Sequence, residues 1–109
     1  MSVTDEQIQA LAATAKPFSL AILHWAARTM DGAGAIELEH QRRMVSLRAG
    51  GTIAVLCPVA SDDVCGVAIM TVSPEEAAEI MAADPCVRAG MMRVEVHPCH
   101  GFPGDALPV

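Results

Sequence analysis

Three short apolar runs, residues 18–25, 52–57 and 65–72, constrain the fold of this 109-residue chain more than any other feature. Each has the length of a strand. Each lacks the strict alternation that would leave one side for water, so the three read as strands buried on both faces. A sheet built from them needs cover on two sides. A fourth run, residues 91–97, alternates Met92, Val94 and Val96 against Arg93, Glu95 and His97, the pattern of a half-exposed strand.

Between these strands lie two helices with clear punctuation. Residues 35–51 place Ile36, His40, Met44 and Leu47 within a stripe about 80° wide at about 100° per residue, and Gly50-Gly51 supplies the stop signal. Ser73-Pro74-Glu75-Glu76 combines a capping residue, a proline in the first turn and a glutamate three positions on, so it starts the second helix. That helix should end near Asp84-Pro85, because the residue before a proline is pushed out of the helical region. Ahead of the first strand, Thr4-Asp5-Glu6-Gln7 has capping-box spacing and predicts a short helix over residues 5–15, ended by Pro17.

The resulting order, after an added N-terminal helix, is strand, helix, strand, strand, helix, strand. This is the split βαβ pattern of an α+β, ferredoxin-like βαββαβ domain, with a four-stranded antiparallel sheet and both helices on one face. One domain is expected over residues 1–109, with a helical extension at 1–16, the core at 17–98 and a turn-rich tail at 99–109. Two helices cover only one face of the sheet. The other face is covered either by a second copy stacked sheet on sheet, giving a homodimer, or by the N-terminal helix and tail of the same chain. Leu38 and Val45, on the outer side of the first core helix, offer a seat for the N-terminal helix.

Charge and aromatic content narrow the partners. Seven Lys and Arg against thirteen Asp and Glu give a net charge of -6, which repels a phosphate backbone or an anionic membrane surface. Two Phe, one Trp and no Tyr argue against stacking of bases on the sheet. Neither nucleic acid nor a membrane is an expected partner. The N-terminus MSVTDEQIQA lacks the pattern of a signal peptide, and the expected compartment is the cytoplasm. There the four cysteines, which form no C-x-x-C pair, read as buried free thiols.

His40 sits on an inward stripe, and a buried polar group without a partner costs about 1–3 kcal/mol. Topology nominates Asp84. The first core helix begins, and the second ends, at the same end of the sheet, and Asp84 continues the stripe of Ala77, Ile80 and Met81. A carboxylate beside an imidazole fixes its tautomer and favours its protonated form, which suits a base or acid near neutral pH. The same arrangement would also serve as a purely structural link between two helices. His24 and Cys86 belong to this end too and are candidate ligand contacts. His97, Cys99 and His100 form the other cluster, but three adjacent donors without a fourth do not make a structural zinc site, so no metal and no cofactor are expected. There is no G-x-G-x-x-G, P-loop or G-x-S-x-G motif.

At this point the sequence resembles the YCII-related (YciI-like) family of the dimeric α/β-barrel group. The resemblance lies in an ordered set: His40, then Leu47 and Gly51, Pro58 ending a strand, Gly66, the run Ser73-Pro74-Glu75-Glu76-Ala77-Ala78, Asp84-Pro85 and Gly90. It implies a ferredoxin-like homodimer whose active site uses the histidine and aspartate of these motifs, here His40 and Asp84. One relative is a dehydrochlorinase of chlorinated hydroxyquinols, and muconolactone isomerase is similar in fold. The chain departs from the family at Glu37, where relatives carry Arg, at Cys57, where they carry Gly, and at Cys86, where they carry an aromatic. An anionic substrate held by that arginine in relatives would lose its partner here. Two functions are therefore expected: a small cofactor-free lyase or isomerase in which His40 and Asp84 move a proton on a small organic molecule, or a dimeric module that binds such a molecule without chemistry.

Overall fold

The computed structural model describes residues 2–109. In chain order the elements are α1 (Asp5–Ala12), β1 (Lys16–Trp25), α2 (Ala33–Ala49), β2 (Ile53–Pro58), β3 (Val64–Met70), α3 (Pro74–Ala82), α4 (Pro85–Arg88) and β4 (Met92–Gly101). The strands form one sheet in the order β2-β3-β1-β4 with every neighbouring pair antiparallel. This is an α+β fold with the strand order of ferredoxin-like domains.

The helices start where the local chemistry directs. Ser73 accepts the backbone N–H of Glu76 and Pro74 occupies the first turn of α3. At the end of α2, Gly51 adopts φ +83°, a left-handed conformation that glycine takes at little cost. Buried α2 residues His40 and Met44, with Ile36 and Leu47 packed beside them, face the sheet along the expected stripe. The core joins these to Ala21 and Leu23 of β1, Ala68 and Met70 of β3, and Ala77 and Met81 of α3. Met44, Met70, Met81, Met91 and Met92 are all buried. Flexible thioethers thus fill the space that scarce aromatic residues leave.

Three elements differ from the sequence reading. The segment Asp84-Pro85 does end α3, but it also starts the short α4: the Asp84 side chain accepts the N–H of Cys86, and Pro85 stands in the first turn. Strand β4 runs beyond residue 97 through Pro98 to Gly101. Its position at the sheet edge tolerates a proline without an N–H. Helix α1 stops at Ala12 and, although its capping box is complete, buries no residue. It does not rest on α2, for Ile8, Leu11, Leu38 and Val45 are all exposed. The cause is the overhang of β1, whose residues Lys16, Pro17 and Phe18 pair with β4 only, beyond the β3 pairing that ends at Ser19. The helix is thereby carried past the end of the sheet.

Side chains alternate along β1, so Ala21 and Leu23 enter the core while Leu20 and Ile22 face the other way. By the observed register, Val67 and Ile69 of β3 lie beside Ile22 and Leu20. These residues are half-buried by their neighbours, and none of α2, α3 and α4 reaches that face. Among the described residues, no helix is long and apolar enough to cross a membrane.

Candidate functional site

A cavity of about 390 Å³ opens between α2 and the sheet. Its floor is apolar, with Leu23 and Trp25 from β1, Leu56 from β2, Ala68 from β3 and Met44 from α2. Gly66 also lines it, and a Cβ there would stand 3.1 Å from the carbonyl oxygen of Cys57, so the residue must be small for β2 and β3 to approach. The polar groups at the cavity are few: Arg28 from the loop after β1, and Glu37, His40 and Gln41 from successive positions on one side of α2. A mostly apolar recess of this size with a handful of polar groups is the usual form of a small-molecule site.

His40 is the polar group that the fold holds most firmly. Its Nδ1 lies 2.8 Å from Oδ2 of Asp84, in a pair spanning 44 residues of sequence. The same Oδ2 accepts the backbone N–H of Cys86 at 3.0 Å. Asp84 is fully buried and does not line the cavity. A carboxylate oxygen accepts, so the Nδ1–H of His40 donates, and in the neutral ring the other nitrogen, Nε2, is an acceptor on the side of the cavity. Behind the pair, Arg43 donates from Nη2 to the carbonyl oxygen of Ile80 at 2.6 Å and brings Nη1 to 3.8 Å from Oδ1 of Asp84. Neither Nη1 nor Oδ1 has a hydrogen-bond partner, so this second contact is ionic only. Arg43 follows His40 by three positions on α2, a spacing that places it on the same side of the helix. That spacing was the available signal for a residue the sequence reading passed over.

Two thiols flank the pair. Burial, then the negative charges of Asp84 and Glu37, push the Cys86 thiol up to about 11. Cys86 is fully buried, with Sγ 3.8 Å from the carbonyl oxygen of Ile36, and it is not among the cavity-lining residues. Burial also raises Cys65, against the lowering effect of Arg28 and with smaller upward contributions from Glu37 and Asp84. Thiols so shifted are protonated at neutral pH and poor nucleophiles. Donor atoms of His40, Asp84 and Cys86 lie within 4.8 Å of one another. A cation held there would have to displace the Nδ1–H proton from its bond to Asp84 and a proton from a raised thiol.

His24 lies elsewhere. Leu23 and Trp25 turn into the cavity, so the residue between them faces the opposite side of the sheet, where its Nε2 meets Oε1 of Glu95 at 2.8 Å. His97 joins the same carboxylate through Oε2. Hydrogen bonds from His97, then His24, hold Glu95 below the usual carboxylate range. Cys99 shares that face by alternation, whereas His100 belongs to the other, so the three donors of the His97-Pro98-Cys99-His100 segment do not converge. The fold thus brings His40, Asp84 and Cys86 together and separates His24 from them by the thickness of the sheet.

No protein-family model matches the chain, and no curated protein matches it.

Proposed function

We propose that the protein is a small, cofactor-free enzyme in which His40, oriented by Asp84, transfers a proton on a small organic molecule bound in the cavity, in an isomerisation or an elimination. The observation that carries the reading is the division of labour in the pair. Asp84 is sealed away and engaged with Nδ1, while His40 lines an apolar recess with its second nitrogen. A base must be within reach of the proton it takes, and its ring must be held in one tautomer. The bond to Asp84 supports the second condition, and the place of His40 on the cavity wall supports the first. The resemblance to the YCII-related family, with its histidine and aspartate at corresponding positions, supports the same assignment.

The unit of function in this proposal is a homodimer formed through the sheet, the arrangement of dimeric α/β barrels. Leu20, Ile22, Val67 and Ile69 form an apolar strip on the face that the helices leave uncovered. A second copy would bury that strip. The alternative function, a ligand-binding module, is favoured by one observation: Asp84 also caps α4, so its conformation serves the fold whether or not His40 reacts.

The two readings separate in deuterium oxide. Wild-type protein incubated with small enolisable keto acids and lactones should catalyse incorporation of solvent deuterium at the acidic carbon, read by mass spectrometry. His40→Ala should abolish that incorporation while its circular dichroism remains that of the wild type. Incorporation retained by the folded variant would exclude His40 as the base. Binding without exchange by the wild type would decide for the module.

A further inference from the structure

Two charged groups at the cavity, Arg28 and Glu37, have no ionic partner among the described residues. Arg28 lies with its guanidinium carbon 3.7 Å from the centre of the Trp25 ring, and no carboxylate is within 4.0 Å of it among the described residues. Glu37 likewise forms no ion pair, although it shares the cavity with Arg28. Both act on Cys65, in opposite directions, so their fields meet across this cavity. Other acidic side chains on α2 or its partners are engaged: Glu39 with Arg42, and Asp84 with His40 and Arg43. Arg28 also occupies a defined place, since stacking on an indole fixes a guanidinium that would otherwise be mobile.

We propose that the cavity selects a small, largely apolar organic acid whose carboxylate pairs with Arg28 and whose hydroxyl donates to Glu37. This rests on the reading of the cavity as the functional site and names the class of molecule it takes. Arg28, placed by the loop after β1, is then a specificity-determining residue. The planar fork of a guanidinium matches a carboxylate, and Arg28, exposed at the cavity mouth, can meet one without being desolvated first. Charge balance sets the other end. A second carboxylate would stand against Glu37, whereas a hydroxyl gives that residue the hydrogen bond it lacks. An amine in place of the carboxylate would meet Arg28 with like charge and be rejected.

Three probes of nearly the same shape test this: 4-hydroxyphenylacetate, phenylacetate and tyramine, each titrated into the intact protein by isothermal calorimetry, with amide shifts in nuclear magnetic resonance locating the site. Affinity should fall in that order, with shifts at Met44, Leu56 and Ala68. Arg28→Gln should weaken both acids about twofold to fivefold and, by removing the like charge, strengthen tyramine, and Arg28→Lys should restore part of the loss. Glu37→Gln should reduce the preference for 4-hydroxyphenylacetate over phenylacetate. Tyramine binding in the cavity as tightly as the acids, or acids indifferent to Arg28→Gln, would overturn the role of Arg28. Absence of binding by all three would overturn the ligand class. In either case deuterium incorporation still judges His40 independently, so failure of the ligand class and failure of the proton-transfer reading are distinguishable.

Discussion

Replacing Asp84 by alanine should destabilise the fold by about 4 kcal/mol. The carboxylate is fully buried and accepts two hydrogen bonds, one from His40 and one from the backbone of Cys86. Bonds to a charged acceptor contribute about 1.5–3 kcal/mol each, and breaking a buried charged pair by removing one partner typically costs about 3–5 kcal/mol. The two figures overlap near 4, with the lost cap of α4 included in the second bond. Asparagine keeps an acceptor and is as good a cap, so Asp84→Asn should cost less, about 1–2 kcal/mol. Urea unfolding at fixed protein concentration, followed by far-ultraviolet circular dichroism, measures both. With a slope of about 2 kcal/mol per molar, the alanine variant's midpoint should fall by roughly 2 M. A loss below about 1 kcal/mol for alanine at unchanged slope would refute the reasoning, because it would mean that His40 and the α4 cap find equivalent partners without the carboxylate.

The remaining predictions concern the thiol and the open sheet face. Since Cys86 is pushed up to about 11, its alkylation by iodoacetamide in the native protein should stay slow through pH 8 and accelerate only toward that value, whereas denatured protein should react at the ordinary rate; fast labelling of native Cys86 at pH 7, located by peptide mass spectrometry, would contradict its burial. Ile22→Glu places a charge in the middle of the uncovered apolar strip, so sedimentation equilibrium at micromolar concentration should show a dimer for the wild type and a monomer for the variant. A monomeric wild type would remove the proposed assembly.

Much of the framework is legible in the sequence because several local signals agree. The apolar runs, the Ser73-Pro74-Glu75-Glu76 start and the glycine stop at 50–51 each point to the same element order, and His40 and Asp84 both lie on inward stripes. Their meeting follows from topology, which places the start of one helix and the end of the other over one end of the sheet. For His24, proximity along the strand gives the end of the sheet but not the face. A shift of one residue in a strand is a change of face, and with Leu23 committed to the core its neighbour had to face the other side. Asp84-Pro85 reads as a stop for the preceding helix, and the same pair is also a capping residue followed by a proline in a first helical turn. Arg28 and α1 were harder to read. A loop arginine has no periodicity to place it, and the overhang that carries α1 beyond the sheet depends on how far β1 and β4 pair past β3. No local pattern encodes that length.

The claim on which the rest depends is that Asp84 holds His40 as the Nδ1–H tautomer and leaves Nε2 as an acceptor at the cavity. Long-range proton–nitrogen correlation of the imidazole ring, with assignment by comparison to His40→Ala, reads the tautomer of the neutral ring directly. The geometry predicts a protonated Nδ1 and an unprotonated Nε2 for His40, and collapse of that preference in Asp84→Ala. A neutral ring protonated at Nε2 and not at Nδ1 in the wild type would contradict both the hydrogen bond to Asp84 and the assignment of His40 as the base.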